Sequence, residues 1–81
     1  MTDTKTAVRQ RILDLCAQRG ISVNRLATRS GVTQSTLNNI VSGRNNSATV
    51  ATIKKLCDGL DITLREFFDV AAFDDLEQEV K

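Results

Sequence analysis

The sequence predicts an all-α fold, a compact bundle of five helices with room for a short sixth, and three observations carry that expectation. Apolar residues recur at helical spacing along most of the chain. A helix-starting signature, a hydroxyl residue placed between two apolar ones, occurs three times. No stretch alternates polar and apolar for long enough to make a strand. With 81 residues, 41% hydrophobic and 26% charged, the chain makes one small domain near the lower limit for folding without a disulfide or metal.

The first helix is expected over about residues 6–18, where Val8, Ile12, Leu15 and Cys16 share one face. Gly20 stops it, and Arg19 is placed for the negative helix end. In the second, about 23–30, Ser22 is the N-cap between Ile21 and Leu26, a hydrophobic staple that sets the entry angle of the chain. The third, about 34–42, repeats the device with Val32, Thr33 and Leu37. A weaker start at Thr49 opens the fourth, about 50–59, with Val50, Ile53, Leu56, Cys57 and Leu60. The fifth, about 64–69, follows Ile62 and adds a capping box between Thr63 and Glu66. Gly43–Ala48 is the one long polar connection.

A formal net charge of +1 conceals a division. Residues 1–65 hold ten of the eleven Lys/Arg but only four of the ten Asp/Glu, a net +6. Residues 66–81 hold one Lys against six acids, a net −5. From Leu15 to Cys57 there is no acidic residue at all. Such a stretch suits a polyanionic partner, although chance in so short a chain is the plainer alternative.

The second and third helices are joined only by Ser30-Gly31-Val32-Thr33, a tight turn that defines a helix-turn-helix. On a wheel of the third helix, Leu37, Ile40 and Val41 face inward. Gln34, Ser35, Asn38, Asn39 and Ser42 fill the other arc, and none is charged. A solvated helix face normally carries Glu, Lys and Arg, because Asn and Ser cost helix stability. Short amides and hydroxyls are what reading base edges requires, with Asn and Gln bidentate to adenine. Arg25, Arg29 and Arg44, with the capped start of the second helix, supply phosphate contacts. The bland alternative is an ordinary polar surface helix.

Ser22…Leu26-Ala27…Gly31-Val32-Thr33-Gln34-Ser35-Thr36-Leu37…Ile40…Gly43 resembles the phage-repressor/Cro (Xre) family of helix-turn-helix domains, and Thr52-Ile53-Lys54-Lys55-Leu56-Cys57-Asp58…Leu60…Ile62-Thr63-Leu64…Glu66-Phe67-Phe68 resembles its last two helices. The resemblance covers about residues 7–69 and implies a lambda-repressor-like fold and sequence-specific binding of double-stranded operator DNA as a homodimer. It implies base contacts from Gln34, Ser35 and Asn39, with Asn38 in support, and backbone contacts from Ser22, Thr28, Ser42 and Arg44. With Arg25, Arg29 and Thr33 added from the residue reading, this is the expected DNA-binding set. Two departures stand out. Ser47-Ala48 replaces the family's usual proline, so a more mobile loop is expected there. Gly59 and Asp61 replace alanine and glycine, so the fourth helix is expected to end a turn early.

Cys16 and Cys57 fall on apolar faces and read as buried reduced thiols, with a disulfide open if those faces meet. Phe67, Phe68 and Phe73 all lie in the last fifteen residues, outside the basic stretch, which argues against stacking on single strands or RNA. Residues 1–69 read as the DNA-binding unit and 70–81 as an acidic tail or sixth helix of the same domain. In that tail Phe73, Leu76 and Val80 form a stripe that either closes over the core or makes a dimer or partner contact, with self-association slightly favoured. With no His or Tyr and no nucleophile–base pair, no enzyme, metal site or cofactor is expected. The longest apolar run is Val70–Phe73 and no signal segment opens the chain, so a cytoplasmic protein away from membranes is expected. The function expected is a transcriptional regulator, most simply a repressor. The second reading is a protein-interaction module, such as an antitoxin, that binds through 70–81.

Overall fold

The computed structural model describes residues 2–43 and 48–80. Five α-helices follow in order: α1 Thr4–Arg19, α2 Val23–Ser30, α3 Gln34–Val41, α4 Val50–Leu60 and α5 Leu64–Phe68. Among the described residues one 3₁₀ turn, Ala71–Asp74, follows them. The helical period read from the sequence is the burial pattern of the structure. Ile12, Leu15, Cys16, Leu26, Ala27, Leu37, Ile40, Ile53, Leu56, Cys57, Leu60 and Phe67 form one continuous core. α2 lies at its centre, packed chiefly on α4 and α3. Among the described residues, no helix is long and apolar enough to cross a membrane.

Three links between helices are built alike. Gly20-Ile21-Ser22, Gly31-Val32-Thr33 and Asp61-Ile62-Thr63 each begin with a left-handed residue, at φ 64°, 67° and 57°. The next amide then reaches back to the ending helix: Ile21 N–H to Cys16 O (3.1 Å), Val32 N–H to Ala27 O (3.0 Å), Ile62 N–H to Cys57 O (3.0 Å). This is the Schellman closure, which satisfies carbonyls that have no partner within the helix. The third residue caps the following helix. Ser22 accepts from Arg25 N–H, Thr33 from Thr36 N–H and Thr63 from Glu66 N–H, and Glu66 completes its capping box. Ile21, Val32 and Ile62 therefore end one helix and staple the next, with their side chains packed against the core.

The start of α1 and the end of α4 differ from expectation. α1 begins two residues early because Asp3 is its N-cap, accepting from Thr6 N–H at 2.8 Å. Hydrogen bonding from Thr6, through its side chain and then its backbone N–H, holds the Asp3 pKa below its ordinary value. α4 does not stop early: Gly59 is helical and buried, and the helix runs to Leu60. The reason is packing. A Cβ on Gly59 would collide with Ser30 Oγ and lie 3.1 Å from Ser30 Cβ and 3.2 Å from Ser30 Cα, so glycine permits the close approach of α2 and α4. The left-handed residue is instead Asp61, whose short polar side chain tolerates that conformation at some cost. Asp61→Gly is expected to stabilise the domain by about 0.5–1 kcal/mol, less the added freedom of the unfolded chain. A thermal midpoint at or below the parent's would contradict this.

Residues 70–80 fold back on the chain rather than forming a sixth α-helix. Phe73 packs against the core and meets the Phe68 ring edge-on, with centroids 4.9 Å apart. Asp75, at φ −123° and ψ 48°, then leaves the helical region, which breaks the expected stripe. Leu76 bridges Thr2, the Glu77 N–H donates to Thr2 O at 3.0 Å, and Thr4 Oγ1 donates to Glu79 Oε2 at 3.1 Å. The Glu79 carboxylate therefore lies beside the positive N-terminus of α1. Val80 is 86% exposed. Cys16 and Cys57 are buried free thiols of the core, both pushed up in pKa by burial.

Candidate nucleic-acid interface

α3 buries Leu37 and Ile40, half-buries Val41, and turns the rest outward. Gln34, Ser35 and Asn38 are exposed along it, and Asn39 is half-buried. Eight residues make a helix about 12 Å long, comparable with the width of the DNA major groove. Beside it, α2 exposes Arg25, Thr28 and Arg29, with Ser22 at its N-cap. Among the described residues neither Arg25 nor Arg29 is in a salt bridge. The described members of the expected set lie on two adjacent helices, at their caps and in the turn between them. Arg44 lies outside the described residues.

The hydroxyls divide by the work they already do. Thr33 Oγ1 accepts from Thr36 N–H and donates to Thr36 Oγ1 at 2.7 Å, so its hydroxyl serves the helix start. Ser42 is the C-cap of α3 rather than its last turn, and its hydroxyl donates to Asn39 O at 3.2 Å. Thr28 Oγ1 donates to Asn24 O at 3.2 Å. Ser22 Oγ accepts an amide, and among the described residues its own proton meets no acceptor.

The basic residues divide in the same way, and this corrects the simple charge reading. Arg9 Nε donates to Val41 O (2.6 Å) at the end of α3. Arg11 donates to Phe67 O (2.7 Å) and Glu66 O (2.9 Å) at the end of α5. Arg19 Nη1 donates to Leu60 O (2.6 Å) at the end of α4, in addition to its place in the last turn of α1. Three arginines of α1 thus each cap a different helix, where a cation suits the carbonyl end. Lys54 pairs with Asp58 one turn along α4. Among the described residues, Arg25 and Arg29 remain as the outward cations of the helix-turn-helix. Asn24, which was not among the expected residues, accepts from Asn38 Nδ2 at 3.2 Å and ties α2 to α3. The two residues are 14 apart in sequence, so no local pattern marks the contact.

A pair of short helices at a tight left-handed turn, held on three further helices and presenting an uncharged amide face beside arginines, defines a helix-turn-helix DNA-binding domain. Comparison with known families agrees: the Cro/C1-type helix-turn-helix DNA-binding domain matches residues 11–72. The chain belongs to that family. Among solved structures it is similar to prophage Lp1 protein 11, with 33% identity and a TM-score of 0.81, covering 94% of this chain and all of that one. No curated protein sequence matches it.

Proposed function

We propose that the protein is a sequence-specific transcriptional regulator, acting as a repressor, that binds an operator as a homodimer with one α3 in the major groove of each half-site. The exposed, uncharged face of Gln34, Ser35 and Asn38, with half-buried Asn39 beside it, carries this reading. Ser and Asn on that face are weaker helix formers than the Lys, Glu and Arg of an ordinary solvated face, and with Gln they offer the donors and acceptors that base edges match. Arg25 and Arg29 hold the phosphates that set the register, joined by Ser22 and Thr28, with Thr33 and Ser42 fixing the two ends of α3. The family match and the likeness to a prophage protein support a phage-type regulator. Two copies on an inverted repeat would place the half-site centres about 34–36 Å apart.

Selection of bound duplexes from a random pool tests the proposal. An enriched inverted repeat is expected, and a pool that stays random would overturn it. Gln34→Ala is expected to relax preference at one operator position by about 1–2 kcal/mol while other positions keep theirs. An unchanged preference profile would remove Gln34 from the base-reading set. Sedimentation with and without operator checks the dimer.

A further inference from the structure

We infer that Asn24 sets the base preference of Asn38 by holding its side-chain amide in one orientation, an inference that rests on α3 reading DNA. Asn24 is the second residue of α2 and Asn38 the fifth of α3, and Asn38 Nδ2 donates to Asn24 Oδ1 at 3.2 Å across the two helices. A carboxamide has two ends of similar shape and opposite sense, an oxygen that accepts and a nitrogen with two hydrogens to donate. An asparagine with no such contact turns its amide over and presents either order. Bidentate recognition of adenine needs one order, with the oxygen toward the N6 hydrogens and the nitrogen toward N7.

The contact selects between the two orders. With one Nδ2 hydrogen given to Asn24, Asn38 keeps one donor and its acceptor, the complement that adenine requires. Turning the Asn38 amide over would set its Oδ1 against Asn24 Oδ1, two acceptors with no hydrogen between them. A concerted turn of both amides is the one arrangement that escapes this conflict. In water the bond is weak, because both groups are exposed and solvent competes. In the groove the competing water is displaced and the bond strengthens, so the selection acts where the base is read. Asn24 is therefore a positioning residue that acts through Asn38.

The inference is tested by duplex selection with the full chain and four variants: Asn38→Ala, Asn24→Ala, Asn24→Asp and the double alanine. Asn38→Ala identifies the position that Asn38 reads. At that position Asn24→Ala is expected to reduce the adenine preference roughly fivefold, a substantial part of what a bidentate pair contributes. Its thermal midpoint should match the parent's. Asn24→Asp only accepts, so it forbids the concerted turn. It should keep the preference while weakening binding to every duplex through its charge. The double alanine should add nothing to Asn38→Ala. The role of Asn24 is overturned if Asn24→Ala retains the parent preference, if Asn24→Asp loses as much as alanine does, or if Asn38→Ala relaxes no position. A parent that enriches no duplex overturns the proposed DNA reading, and this inference with it.

Discussion

Gly59→Ala is expected to destabilise the domain by about 2–3 kcal/mol, although alanine is the better helix former by ~1 kcal/mol. The added methyl has nowhere to go. It would collide with Ser30 Oγ, and beyond that atom stand Ser30 Cβ at 3.1 Å and Cα at 3.2 Å, the last fixed in the backbone of α2. α2 packs on α4 over this contact, so relief requires the two helices to move apart and loosen the fully buried Leu26 and Leu56. For a domain of this size the loss corresponds to a fall in thermal midpoint of about 10 °C or more. Ser30 supplies the control. Its Oγ is buried without a hydrogen-bond partner among the described residues, so Ser30→Ala should by itself stabilise by about 1 kcal/mol. In that background Gly59→Ala should cost clearly less, because the first atom in its way is gone. Equal costs in the two backgrounds would show that the helices do not meet as described.

Substitutions among the arginines are expected to separate into two classes that formal charge does not distinguish. Arg11→Met keeps the aliphatic stem and removes the donors to Phe67 O and Glu66 O, so it should lower stability by about 1.5–3 kcal/mol. The dependence of DNA binding on salt should be unaltered. Arg25→Ala and Arg29→Ala should leave the thermal midpoint within a degree or two, since both side chains are exposed. Each should make the slope of log affinity against log salt shallower by about 0.9, the signature of one lost phosphate contact. Chemical denaturation and titrations at several salt concentrations check both classes. A shallower slope for Arg11→Met, or a destabilised Arg25→Ala, would mean that the basic residues are not divided between folding and DNA in this way.

Much of the architecture was legible because it is written in local chemistry. Ser22, Thr33 and Thr63 cap helices three residues ahead, Ile21, Val32 and Ile62 staple them, and an eight-residue wheel is enough to separate Leu37 and Ile40 from Gln34, Ser35 and Asn38. Where local rules misled, another segment intervened. Gly59 reads as a stop signal, but it is a packing surface for Ser30, 29 positions earlier. Phe73, Leu76 and Val80 have helical spacing, but Phe73 is held by Phe67 and Phe68, and Leu76 meets Thr2 at the other end of the chain. Asp3 caps α1 without a sequence signal of its own, because a polar segment without apolar neighbours looks like any frayed helix end.

Helix placement, the turn between α2 and α3, and the uncharged outward face of α3 follow from interactions spanning three or four residues, which a linear reading captures. The employment of each charge does not. That Arg9, Arg11 and Arg19 serve the carbonyl ends of other helices is not written in their local sequence, and only the approach of α3, α5 and α4 to α1 brings those ends within their reach. The same holds for Asn24, whose partner is set by the crossing of two helices. The net +6 over residues 1–65 is not all turned toward a partner, because a cation acts on whatever folding places beside it.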